Sequence, residues 1–367
     1  MMRRCCSYLL IVVNFVVISC SRPPDLVGID NPEITVASVE TATRHKIFMA
    51  TTRSATEALG AFYSDRRSLE LALTSVDVSI PPNHVLGNLE RPNRMPPNPR
   101  TEFAIVNPTV YETEKSFVAS VNVALQRLPR NERYILLFVH GYNNTTSDSL
   151  LRLAQFVEDT NYQGVAVLFS WASAAQATKY VYDMNSALIA RPLLADLGRI
   201  FGNTNAEGYD IFAHSMGALL AMETARDMAR IGQLDRLGRL INIVLASPDI
   251  DIDLFRAQMA QIDNKFDKFF VLLSQDDNAL GFSRWIAGGV PRLGSADSSE
   301  LGELGVTTID LTAIQDSTSG SHSKFAGSPR VVQSIGRGLN SSKDFAGNGT
   351  YNLSDFLAYL PIRHVDN

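Results

Sequence analysis

Beyond residue 20 the chain has no cysteine; all three, Cys5, Cys6 and Cys20, stand at its start. The remainder therefore has neither a disulfide framework nor a thiol nucleophile. Positive charge is also short: 33 Lys and Arg face 38 Asp and Glu, for a net charge of −5. With no basic stretch, a nucleic-acid backbone is set aside as a partner. The apolar stretch at residues 8–18 falls short of the roughly 20 residues that a spanning helix needs. No internal repeat occurs. His140 and His214 lack companions at a metal-ligand spacing, so neither a metal nor a cofactor is expected. What is present is the composition of a globular chain, 45% hydrophobic and 19% charged, and 367 residues suffice for a large core.

The first twenty residues, "MMRRCCSYLLIVVNFVVISC", place Arg3 and Arg4 before the short apolar stretch. That pattern reads as a secretory signal over residues 1–19. Val17-Ile18-Ser19-Cys20 resembles the signal box of bacterial lipoproteins. The resemblance implies cleavage before Cys20, lipidation of its thiol, and a protein of the bacterial cell envelope held at the membrane. Ser21 is compatible with the outer membrane. An uncleaved anchor helix and a signal cut without lipidation are the alternatives. Residues 20–34, with Pro23 and Pro24 and no periodicity, read as a tether. Residues 35–340 read as one domain, and 341–367 as a polar tail with one amphipathic turn.

Within the domain, continuous apolar runs recur at 134–141, 164–171, 209–215, 240–249 and 268–277. Continuity rather than alternation suits strands buried on both faces of a parallel sheet. The intervening stretches at 147–160, 218–234 and 253–262 carry apolar residues at helical spacing. Strand alternating with helix predicts an α/β fold with a mostly parallel central sheet and helices on both faces. Residues 45–53 and 76–82 read as an antiparallel hairpin at the sheet edge, and 306–312 as a last strand. Residues 54–75, polar and then helical in pattern, complete the N-terminal part.

Ligands of such sheets bind beyond the carboxyl ends of the strands, which directs attention to Ala213-His214-Ser215-Met216-Gly217. A strand that turns straight into a helix exposes its corner residue and needs small neighbours, as in the G-x-S-x-G nucleophile elbow. Ser215 is the candidate nucleophile, and an N-cap is its plainer reading. A serine needs a base, and the base needs a carboxylate. Of the histidines after Ser215, His322 lies in a small-residue loop beyond the last strand and His364 in the tail, so His322 is the candidate base. Asp277, after the 268–277 run, is the preferred acid, and Asp249 is the alternative. Asp276, next to Asp277, should point elsewhere. The two amides of an oxyanion hole would be Met216 and, from the loop after "ILLFVHG", Tyr142 or Asn143.

These stretches, together with "IFMATTR", "VLFSWAS", "YVYDMNSA", "LASPDID" and "LLSQDDNALGFSRWIAGGVPRLG", resemble the α/β-hydrolase superfamily. The likeness is nearest to a bacterial family of esterase/lipase-like α/β hydrolases of unknown function. The resemblance implies Ser215, Asp277 and His322 as the triad. It departs after Trp171, where Ala172, Ser173, Ala174 and Ala175 replace the usual Pro-Ser and glycine, beside the pocket candidates Trp171 and Tyr180. The resulting expectation is a serine hydrolase of a carboxylic ester, with a small-molecule, lipid or thioester substrate. A catalytically silent, lipid-anchored binding or scaffold protein on the same fold is the alternative.

Overall fold

The computed structural model describes residues 22–340, apart from 263–267, 303, 305 and 316–319. The expected signal, Cys20 and the tail at 341–367 lie outside the described residues. In chain order the elements are β1 (Thr43–Ala55), β2 (Tyr63–Ile80), β3 (Ala104–Tyr111), α1 (Glu114–Gln126), β4 (Tyr134–Val139) and α2 (Thr146–Thr160). There follow β5 (Val165–Ser170), α3 (Tyr180–Gly202), β6 (Gly208–His214), α4 (Met216–Arg230), β7 (Leu240–Ala246) and α5 (Ile252–Met259). The last are β8 (Phe269–Leu273), α6 (Asn278–Ile286), α7 (Ser298–Gly302), β9 (Thr307–Asp310), α8 (Lys324–Gly327) and α9 (Pro329–Asn340).

These strands form one sheet in the order β3-β2-β1-β5-β4-β6-β7-β8-β9. From β1 through β9 neighbours pair in parallel, while β2 and β3 add antiparallel at the edge. The apolar runs are continuous because both faces are covered. Along β4, Leu137 and Val139 face one apolar layer with Phe117, Leu194, Phe201 and Leu220. Leu136 and Phe138 face the other, with Phe156, Phe325 and Ile335. Successive side chains of a strand alternate faces, so each run feeds two cores. All carboxyl ends of the parallel strands meet at one edge, where the loops that matter are held.

Three expectations are corrected. Residues 54–75 are not helical: most of them belong to the ends of β1 and β2, whose first half is charged and only partly buried. Arg67, on this half of β2, donates to Tyr182 O (2.9 Å) and Ser186 Oγ (2.8 Å) and lies 3.9 Å above the Tyr182 ring, so the hairpin packs on α3. β3 passed unnoticed because its second half, Asn107 onward, is exposed and contains Pro108. The tether expected at 20–34 is, from residue 22, part of the fold. Leu26 and Val27 are buried, Val27 bridges to Ile105, and Leu26 N donates to Ser147 Oγ at 2.8 Å. Two apolar residues were too brief a signal to read as packing.

Candidate active site

β6 passes into α4 through one residue. Ser215 sits at φ 54°, ψ −123°, a conformation that a side chain tolerates only when its surroundings impose it. They do so here. Ser215 N donates to Ala246 O at 3.0 Å, and Ser215 O accepts from Ala218 N at 3.0 Å and Asp249 N at 3.2 Å. The small neighbours are required by contact. A Cβ on Gly217 would come within 2.4 Å of His140 O, and one on Gly141 within 2.9 Å of the Ser215 Cβ. The first amide of α4, on Met216, has no acceptor within its helix and lies at the positive end of the helix dipole.

The histidine loop reaches this corner. His214 Nε2 donates to the His322 carbonyl at 3.2 Å, and the two rings lie 4.8 Å apart. Burial first, and the nearby His322 second, push His214 well below the usual imidazole range, so it is neutral. His322 Nδ1 lies 2.7 Å from Asp277 Oδ2. The other carboxylate oxygen, Oδ1, caps α6 by accepting from Ala279 N and Leu280 N, both at 3.0 Å. Capping fixes the carboxylate's orientation. Thus Ser215, His322 and Asp277 are gathered at the edge where β6 and β8 end.

Asp276 does point elsewhere, and it has a function in holding the loop. It accepts from Lys324 Nζ (2.7 and 2.9 Å), Ser321 Oγ (2.8 Å) and Ser274 Oγ, thereby gripping both flanks of His322. Despite the opposing effect of burial, these donors hold its carboxyl below the usual range. Lys324, buried, also donates to Leu311 O and Thr312 O. Nothing in sequence distinguishes Lys324 from a surface lysine.

The loop after β4 is strapped from two sides. Asn143, at φ 60°, donates its amide to Asp183 Oδ2 at 3.3 Å, which takes it out of the expected oxyanion hole and leaves Tyr142. Asp183 also accepts from Ser173 Oγ and Ala174 N. Opposite, buried Arg53 donates to Asn144 O (2.8 Å), Ser173 O (2.9 Å) and Ser170 Oγ (3.0 Å). Burial pushes Arg53 down to about 10, partly offset by Asp183, and leaves it cationic at neutral pH. Arg53 and Asp183 were not singled out as site residues, though both lie in stretches that carried the family resemblance.

The alternatives read differently. Asp249 accepts from Tyr180 Oη (2.8 Å) and Ser283 Oγ and pairs with Arg292 at 3.3 Å. Its carboxylate is committed there, so it is not the acid of His322. Tyr180 is mostly buried on that aspartate, its ring edge-on to Tyr142 at 5.4 Å. Trp171 is wholly buried and stacks on His140 at 5.0 Å, donating Nε1 to His140 O at 2.7 Å. It braces the loop instead of lining a pocket. Burial drives His140 down to about 3, so the neutral ring can donate to only one of its two carbonyl neighbours, Gly141 O or Trp171 O. A cavity of about 440 Å³ lies away from the serine, between α3 and α4 at the starts of β6 and β7. Among the described residues no group of three or more His, Cys, Asp or Glu is placed to hold a metal.

Residues 114–338 match a family described as alpha/beta hydrolase of unknown function (DUF900). No curated protein matches the chain. Among solved structures it is similar to a hyperthermophilic esterase from the archaeon Pyrobaculum calidifontis, at 12% identity and a TM-score of 0.34, covering 63% of this chain and 94% of that one. It is also similar to a cutinase-like protein from Cryptococcus sp., at 12% identity and a TM-score of 0.29, covering 59% and 97%.

Proposed function

The chain belongs to this family of alpha/beta hydrolases, and from that premise we propose that it is a serine hydrolase of carboxylic esters. The observation that carries the reading is the His322–Asp277 contact of 2.7 Å delivered to the strained Ser215 corner. Ser215 Oγ attacks the ester carbonyl while His322 Nε2 takes its proton; Asp277 holds the Nδ1–H tautomer and stabilises the imidazolium. The oxyanion is met by the amides of Met216 and Tyr142. His322 returns the proton to the leaving alkoxide, and the bond to the alcohol breaks. Water, deprotonated by His322, then attacks the acyl-enzyme and frees the acid and Ser215. Thioesters would follow the same steps.

A fluorophosphonate probe tests this directly. Wild type labels covalently, while Ser215→Ala and His322→Ala, with circular dichroism unchanged, do not. Well-folded wild type that fails to label overturns the reading. The same proposal places the protein in a bacterial envelope, anchored by a lipid on Cys20 after removal of residues 1–19. Mass spectrometry of the mature N-terminus checks this, and an unmodified Cys20 contradicts it.

A further inference from the structure

On α6, directly after Asp277, Phe282, Trp285 and Ile286 fall at i, i+3 and i+4 and so share one face. That face is left open to solvent in good part: the three residues are 49%, 77% and 38% exposed. The rings of Phe282 and Trp285 stack at 6.2 Å, which gathers them into one apolar ridge. Such a ridge on a short helix is a contact surface awaiting an occupant.

The path of the N-terminus says what the occupant is. Arg22, where the described chain starts, donates to Ala175 O (3.0 Å) in the loop after β5 and to Asp148 Oδ2 (3.2 Å) in the first turn of α2. Both belong to the edge at which the parallel strands end. A lipid carried two residues upstream of Arg22, on Cys20, would therefore enter a membrane from the edge that bears Ser215 and α6. β5 and β8 are separated by β4, β6 and β7, a distance of roughly 19 Å at the usual strand spacing. A membrane reached through the N-terminus on one side of the serine meets the ridge of α6 on the other. Exposed Leu59, in the β1–β2 turn, and Val181, at the start of α3, lie at the same edge.

We propose that this edge rests on the lipid bilayer, with Phe282, Trp285 and Ile286 in the interfacial layer, so that Ser215 acts on esters presented by the membrane. Trp is suited to that layer, its ring apolar and its N–H wet. The proposal rests on the anchored serine-hydrolase reading above.

The two tryptophans make the test direct, since Trp171 is fully buried and Trp285 is 77% exposed. The processed chain, isolated from the membranes of bacterial cells expressing the whole sequence, is reconstituted in phosphatidylethanolamine–phosphatidylglycerol vesicles with brominated acyl chains. Emission should shift to the blue and be quenched, and both effects should vanish in Trp285→Phe. The double variant Phe282→Ser/Trp285→Ser should hydrolyse a vesicle-borne ester about tenfold more slowly, with its rate on a soluble short-chain ester unchanged. Unshifted, unquenched emission from chains that float with the vesicles overturns the bilayer contact. A blue shift without bromine quenching that grows with protein concentration assigns the ridge to a second copy and also overturns it. Chains that fail to float refute the anchor and this proposal together. Chains that float and are quenched but take no fluorophosphonate uphold the bilayer contact and refute only the hydrolase.

Discussion

At the residue scale, the candidate site depends on two adjacent aspartates with different duties. Asp277 faces His322 Nδ1, whereas Asp276 holds the loop that delivers the ring. Asp277→Asn keeps the shape and loses control of the tautomer, so kcat on a short-chain ester should fall by about 10³–10⁴-fold with KM little changed. A loss below tenfold would contradict its part in the triad. Asp276→Ala leaves Lys324 buried beside two carbonyls without its carboxylate. Because Asp276 is about half exposed, the loss of stability should be about 1–3 kcal/mol, short of a fully buried pair. Adding Lys324→Met removes the orphan charge and should restore much of that stability while kcat stays depressed, since Ser321 has still lost its anchor. Urea unfolding and steady-state kinetics on the four proteins of the cycle measure both quantities. Equal recovery of stability and kcat would make Asp276 purely structural. The proposed nucleophile, acid and base could be picked out in the sequence because Ser215, Asp277 and His322 come in the order that such a fold uses. Lys324 stayed hidden because its burial depends on Leu311, Thr312 and Asp276, far from it along the chain.

At the element scale, what could be read was what packing makes local. Strands β4 to β8 announced themselves because two cores demand apolar residues at most positions of their interiors. The first half of β2 did not, since Arg66, Arg67, Glu70 and their neighbours belong to a half-buried hairpin that tertiary contacts with α3 hold extended. The β6–α4 corner is the opposite case, where one glycine carries the geometry. Gly217→Ala would set a Cβ 2.4 Å from a backbone oxygen that cannot yield without moving the His140 loop. It should cost about 2–4 kcal/mol and abolish fluorophosphonate labelling. Gly281, inside α6, has open space where a Cβ would go. Gly281→Ala should therefore stabilise by about 0.5–1 kcal/mol and leave labelling intact. Thermal melts of the pair separate the two kinds of glycine; similar melting points would mean that the corner is not close-packed.

At the scale of the whole molecule, two buried titrations tilt stability in the same direction. Asp210, on β6, is raised from 3.8 to about 7 by burial, only partly offset by hydrogen bonds from Asn242. His84 joins the long β2–β3 connection to α2 through Asp159 (2.8 Å) and also meets Glu90 (2.7 Å). Burial works against its charge, but these two partners win and raise it from 6.5 to about 9. In each case the folded chain holds its proton more tightly than the unfolded one. The Asp210 contribution is complete below its unfolded value of 3.8 and is lost as pH rises through about 7. That of His84 is complete below 6.5 and is lost as pH rises through about 9. The shifts are worth on the order of 3–4 kcal/mol each. Below about pH 6.5 the neutral, buried His140 and His214 oppose Asp210, because only their unfolded forms take up protons there, so the net weakening should show between about pH 7 and 9, where His84 acts. Asp210→Asn, which keeps an oxygen for Asn242, should tip the acidic half toward a stability that rises with pH and leave the alkaline half unchanged. His84→Gln should flatten the alkaline half alone, since a carboxamide has no proton to lose. Urea unfolding at about pH 5, 7 and 9 resolves the two halves. An Asp210→Asn variant with the wild-type dependence between about pH 5 and 7 would refute the Asp210 assignment, and a wild-type stability that rises between about pH 7 and 9 would refute that of His84.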